Sequence, residues 1–189
     1  MTEILYITGI PLLAGLMLFL FPDRIIRMKG VINILVNLVV LTLGIRIFSK
    51  DIALLNIADL QQSELLGSLR QTFPSLDRYC CFDIDNLSKL IILFICVFGL
   101  LISIYSLIYI TKGKRVPNYH AWFLITIASS IGAVATSNLI LFLMFWGILA
   151  ITLYKLISGS DDVSSAAAKK SLVMVGASDG IMILGIAII

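Results

Sequence analysis

One carboxylate in this sequence stands at a costly depth. Asp179 lies near the middle of the apolar stretch Leu172 to Ile189, and an acid at the centre of a bilayer costs roughly 2.5–3.5 kcal/mol on insertion scales. Such a group faces a protein interior or water. It is therefore a candidate for a hydrated or proton-linked path, and the blander alternative is a neutral acid hydrogen-bonded between helices. Lys169 and Lys170 open the same stretch, where snorkelling accounts for at least one of them, as it does for Lys89 and Lys155 at other helix ends. His120 is the single histidine and follows a basic segment, so it reads as an interfacial side chain. One histidine builds neither a bis-histidine haem site nor a Ser/His/Asp triad. Cys80, Cys81 and Cys96 lack CxxC spacing, and the vicinal pair reads as plain thiols or a bond to another chain. No nucleotide, flavin or cluster motif occurs, so no cofactor, metal, catalytic residue or nucleic-acid partner is expected. Nor is the polar cluster that a membrane enzyme would need legible within the helices.

The elements that must carry these residues follow from composition. Of 189 residues 60% are apolar and 13% charged, against about 45–50% and 25% in soluble domains, and the mean hydropathy is +1.07. Apolar stretches run approximately from Ile4 to Phe21, Val31 to Phe48, Leu90 to Ile110, Ala121 to Thr136, Leu139 to Ile157 and Leu172 to Ile189. Each approaches the roughly 20 residues that cross about 30 Å of hydrocarbon as a helix. The expected fold is all-α, a single polytopic membrane domain over residues 1–189 with about six transmembrane helices. The fourth and fifth are parted only by Ser137 and Asn138, which predicts a tight helical hairpin. Ala128 to Ser130 and Gly132 give the fourth a small-residue face suited to close packing. The first stretch is preceded by Met1-Thr2-Glu3, an acid where a signal peptide carries Lys or Arg, and so reads as a retained helix.

Loop charge predicts orientation. Arg24, Arg27 and Lys29 oppose one Asp23 in the first connection; Lys112, Lys114 and Arg115 stand without an acid in the third; Lys155, Lys169 and Lys170 face Asp161 and Asp162 in the fifth. The long second connection, residues 49–85, carries six acids (Asp51, Asp59, Glu64, Asp77, Asp83 and Asp85) against Lys50, Arg70 and Arg78. By the positive-inside rule the odd connections are cytoplasmic and both termini external. Within the second connection, 52–69 has the character of a surface helix, 72–75 of a turn and 79–84 of a strand.

Three segments carry a family resemblance. FDIDNLSK from Phe82 to Lys89, with Tyr105 to Tyr109 beyond it, resembles the third helix of the antiporter-like subunits. These are the large membrane subunits shared by respiratory complex I, energy-converting hydrogenases and Mrp-type sodium/proton antiporters. SNLILFLMFWG from Ser137 to Gly147 resembles their fifth helix, and AAAKKSLVMVGASDG from Ala166 to Gly180 their sixth, with Lys170 and Asp179 at the family's lysine–aspartate spacing. Order and separation fit over nearly the whole chain.

The resemblance implies a subunit of a complex-I-like or energy-converting hydrogenase complex, the hydrogenase side suiting a shortened chain best, that is not an enzyme by itself, lies in the cell's inner (cytoplasmic) membrane and has other membrane subunits as partners. It also implies a departure: the family's proton-transferring glutamate after the tryptophan is Gly147 here, and the arginine before the aspartate is Gly176. The sequence matches only the family's first six helices, so the expectation is a shortened or split subunit, its remaining helices supplied by a neighbouring chain. On that reading Asp179 and Lys170 join a composite proton or sodium path. The alternative is a structural subunit that docks or seals the membrane arm, conduction having been lost with the glutamate. The isolated chain is expected not to conduct, since a relay across the bilayer needs more titratable groups than these.

Overall fold

The computed structural model describes residues 2–21, 25–49, 84–112, 118–159 and 162–188. Six helices follow one another: α1 (Thr2–Leu20), α2 (Ile26–Phe48), α3 (Asn86–Lys112), α4 (Tyr119–Ala135), α5 (Leu139–Ile157) and α6 (Asp162–Ile188). Four of them, α1, α2, α3 and α5, are long and apolar enough to cross a membrane; α4 is apolar but has 17 residues. The chain is thus an all-α polytopic membrane protein. The expected surface helix 52–69, the turn 72–75, most of the strand 79–84, and Cys80 and Cys81 lie outside the described residues.

Local chemistry sets several helix ends. The Asp85 carbonyl accepts the Lys89 N–H at 3.1 Å while its Oδ1 accepts the Ser88 N–H at 2.8 Å, an N-cap on α3. Asn138 does the same for α5, its Oδ1 accepting from the Ile140 and Leu141 N–H groups, and so closes the predicted α4–α5 hairpin. Asn118 precedes α4 with φ 54°, a left-handed conformation that asparagine tolerates better than most residues.

Two helices begin earlier than the apolar runs suggest. α2 starts at Ile26, so Arg27 and Lys29 belong to its first turns and not to a loop; α6 starts at Asp162, so Lys169 and Lys170 lie two turns inside it. The reason is physical: Met, Lys, Arg and Ala are good helix formers, and a helix does not end where hydropathy does.

α4 is the centre of the bundle, packed on α1, α5, α3 and α2, with α2 and α3 paired beside it; α6 rests chiefly on α5. Along most of α4 the side chains are buried. The core divides along its length. Towards the α1 start and the α2 end it is apolar: Ile4, Ile7, Val40, Ile47, Ile92, Cys96 and Ile131 among others. At the other end, where the basic connections lie, the space between α2, α3 and α4 is polar.

Candidate functional site

Asp179 does not stand alone. The Trp146 indole N–H donates to its Oδ1 at 2.7 Å, tying α5 to α6. Trp146 is seven residues into α5 and Asp179 nine residues before the end of α6. At 1.5 Å per residue both lie about 10–13 Å inside the helix ends. The pair forms because the indole is held by a stacked Phe142, ring centroids 5.5 Å apart, one turn earlier on the same face. Asp179 is half-buried, and an indole of the same chain supplies part of its cover.

Lys170 is not part of this contact. Nine residues separate it from Asp179 on a continuous helix, which is about 13 Å along the axis and, at 3.6 residues per turn, about half a turn around it. The two family-spaced residues therefore point to opposite sides of α6, and Lys170 is exposed. Gly147, one residue past the tryptophan, is exposed as well, and a Cβ there would meet nothing within 4 Å. Space for a glutamate is present; the side chain is not. Lys155, at the basic end of α5, lies with its ammonium 6.0 Å from the Trp122 ring centroid and 5.6 Å from that of Tyr154, cation–π contacts that suit a snorkelling side chain. Near it a cleft of about 490 Å³ opens between α3, α4, α5 and α6, lined by Tyr105, Ser106, Tyr109, Tyr119, Leu156 and Ser164 among others.

A second polar constellation was not foreseen. Lys29, Asn33 and Asn37 repeat at i, i+4 and i+8 on one face of α2, and all are buried, Lys29 at 2% exposure and both asparagines at 0%. Their partners come from α3 and α4. The Lys29 ammonium donates to Asn118 Oδ1 at 2.9 Å. Asn33 Nδ2 lies 3.3 Å from His120 Nδ1. Asn37 Nδ2 donates to Asn33 and to Ser103 Oγ at 2.9 Å, and Ser103 in turn donates to the Gly99 carbonyl at 2.8 Å. Ser106, one turn on, donates to the Ser103 carbonyl at 3.0 Å.

This corrects three readings. His120 stands at the level of the basic segment, but its side chain turns inward and is 2% exposed; and a polar cluster does exist within the helices. Lys89 is also buried rather than snorkelled, at 5% exposure. The overlooked signal is the four-residue repeat of Lys and Asn inside an apolar run. That repeat marks one helix face, and a polar face in a membrane helix must be covered by protein. Among the described residues no group of three or more His, Cys, Asp or Glu side chains is placed to hold a metal ion.

Comparison with known proteins bears on the same segments. Residues 136–189 match the family model described as NADH:quinone oxidoreductase/Mrp antiporter, transmembrane, which spans α5, α6 and the Trp146–Asp179 contact. NAD(P)H-quinone oxidoreductase subunit 5, chloroplastic, of Citrus sinensis is 29% identical over 184 residues, 94% of this chain and 24% of that protein. Na(+)/H(+) antiporter subunit A1 of Staphylococcus haemolyticus is 32% identical over 97 residues, 49% of this chain and 12% of that protein. The Staphylococcus aureus (strain JH9) subunit A1 is 30% identical over the same length. The chain thus spans between 12% and 24% of the length of these relatives. No solved structure matches. Through α5 and α6, and more loosely along nearly its whole length, the chain is thus similar to the transmembrane antiporter-like subunits of NADH:quinone oxidoreductases and Mrp antiporters.

Proposed function

We propose that this chain forms part of an ion-translocating membrane arm of the complex-I or Mrp kind, and that Asp179 is a titratable member of its proton or sodium path. The observation that carries the reading is the Trp146–Asp179 hydrogen bond of 2.7 Å. A carboxyl held by one donor at mid-membrane depth keeps its second oxygen for a further partner, which a relay needs and a sealed core does not. All six helices span the bilayer, with both termini external and the basic connections on the cytoplasmic side of the cell's inner membrane. α6 is exposed along most of its length, with Val173, Met174 and Ile181 each above 70%. Neighbouring helices of the same membrane arm, from an energy-converting hydrogenase, complex I or Mrp assembly, cover it and complete the path. Lys170, on the far side of α6, serves that neighbour's side of the path and not Asp179 directly.

Asp179→Asn in the assembled complex is the test. Asparagine still accepts the Trp146 N–H but carries no exchangeable acid proton. In a path role, coupled ion pumping falls while the complex assembles normally.

A second reading is favoured by Gly147, which leaves open space where the family's glutamate would stand. There the Trp146–Asp179 bond is a helix clamp in a docking subunit, and Asp179→Asn leaves pumping intact. That result would remove Asp179 from the path. Orientation is tested separately by labelling a cysteine at Gln61, which reacts from outside; reaction only from the cytoplasm would invert the topology.

A further inference from the structure

The polar chain between α2, α3 and α4 has a hydrogen-bond polarity that can be deduced. Asn37 Nδ2 lies 2.9 Å from the backbone carbonyl of Asn33, which only accepts, so the Asn37 amide is fixed with its nitrogen on that side. The same nitrogen lies 2.9 Å from Asn33 Oδ1 and from Ser103 Oγ, its two protons shared among the three acceptors. The Oδ1 contact fixes the Asn33 amide in turn, its oxygen towards Asn37 and its nitrogen towards the ring, 3.3 Å from His120 Nδ1. Nδ1 must then be an acceptor. A ring that accepts at Nδ1 is neutral, with its proton on Nε2; an imidazolium has no acceptor to offer.

Two further observations show that the arrangement is poised. The Asn37 Oδ1 is buried without a partner, packed where a Cβ on Gly99 would come within 3.1 Å. The network therefore leaves one acceptor unpaired at its deep end, eight residues and about 12 Å along α2 from Lys29. The ring sits against Gly30, where a Cβ would lie 3.2 Å from Nε2 and 2.5 Å from Leu107. Any larger residue at 30 would displace it. The titratable groups beside the ring are Lys29 from α2 and Tyr119 from its own helix, edge-on with centroids 5.4 Å apart; α3 presents Leu107.

We infer that His120 is a proton-binding site whose occupancy is transmitted through Asn33 and Asn37 to the α2–α3 contact at Ser103, separately from Trp146–Asp179. A proton from water at the basic end takes the Nδ1 lone pair. The Asn33 N–H then faces an N–H, so this bond breaks or the Asn33 amide turns over. If Asn33 turns, its nitrogen faces the Asn37 nitrogen, and Asn37 must turn as well. That sets its oxygen against the Asn33 carbonyl, so the reversed chain exists only while the proton is bound. Either way Asn37 changes its hold on Ser103, and a charge state near the surface is read near mid-membrane.

Nitrogen-15 NMR of the full protein in nanodiscs tests this, because the chain has a single histidine, identified by the loss of its signal in His120→Gln. At neutral pH the ring nitrogens should report a neutral imidazole protonated on Nε2. As the pH is lowered from neutral until the ring takes up its proton, the Asn33 and Asn37 side-chain amide signals should move in step with it. Asn33→Asp replaces the donor with an acceptor and should place a proton on Nδ1 at neutral pH. A wild-type ring protonated on Nδ1 at neutral pH, a ring that never titrates, or amide signals that stay still while it does would each overturn the inference, whether or not Asn33→Asp folds.

Discussion

Gly132 is the tightest point of the α4–α5 seam, and alanine there should drive the two helices apart. A Cβ at this position would lie 2.6 Å from Phe145 Cζ and 2.7 and 2.8 Å from its two Cε atoms. Carbon atoms pack best about 3.5–4.0 Å apart, so the ring tip must withdraw by about 1 Å. α4 cannot easily yield on its opposite side, because Ile127 packs there against α3 at Gly99. Overpacking of one methyl in such a core costs about 1–3 kcal/mol. Alanine returns up to about 1 kcal/mol of helix propensity, leaving a net destabilisation of about 0–2 kcal/mol. Phe145→Leu removes the atoms that clash, so in the double variant the wedge vanishes and the two losses should not add. The coupling should equal the relieved overpacking, about 1–3 kcal/mol in favour of the double variant. Unfolding in mixed micelles, followed by tryptophan fluorescence, measures all four corners of the cycle. Additivity within about 0.5 kcal/mol would refute the contact as the source of the effect.

Other outcomes follow from single contacts. Trp146→Phe keeps the stack on Phe142 and deletes the N–H, and should cost the α5–α6 pair about 0.6 to 1.7 kcal/mol, the range of interhelical hydrogen bonds in membranes; a cycle with Asp179→Leu isolates it. Gly147→Ala meets open space and should be neutral or stabilising by up to about 1 kcal/mol in the same unfolding assay. The side-chain and backbone hydrogen bonds from Ser88 hold the exposed Asp85 carboxyl below its ordinary value of 3.8. Its cap on α3 is therefore complete above about pH 4 and is lost as pH falls through the depressed value; amide exchange at the start of α3 should accelerate only in that acid range, and Asp85→Asn should abolish the dependence.

The helices were legible because apolar length is a blunt and reliable signal: α1, α3 and α5 begin and end within a few residues of their hydropathy runs. The tight α4–α5 hairpin was legible too, because Asn138 is a capping residue followed at once by an apolar run. What hydropathy hides is direction around the axis. Asn33 and Asn37 are two polar residues in a long apolar run, and an average over the run erases them, although their four-residue spacing puts them on one face. His120 follows a basic segment, which fixed its depth but not which way its ring turned. The Trp146–Asp179 contact spans 33 residues and depends on the register of α5 against α6, which no local pattern encodes. Lys170 and Asp179 were linked by the family's spacing, yet nine residues on one helix leave them facing apart.

The lopsided burial of α6 has a consequence for biogenesis. This helix carries Asp162, Lys169, Lys170 and Asp179 along 27 residues and is not among the four that are apolar enough to enter a bilayer on composition alone. Each charged residue near a helix centre opposes lateral release from the translocon by about 2.5–3.5 kcal/mol. α5, in contrast, is among the strongly apolar spans and leaves the ribosome first. On the proposed reading, in which α6 spans the bilayer, Trp146 offers the emerging Asp179 a donor. Insertion of α6 is then conditional on α5, and a lesion in α5 should surface as an insertion defect one helix downstream.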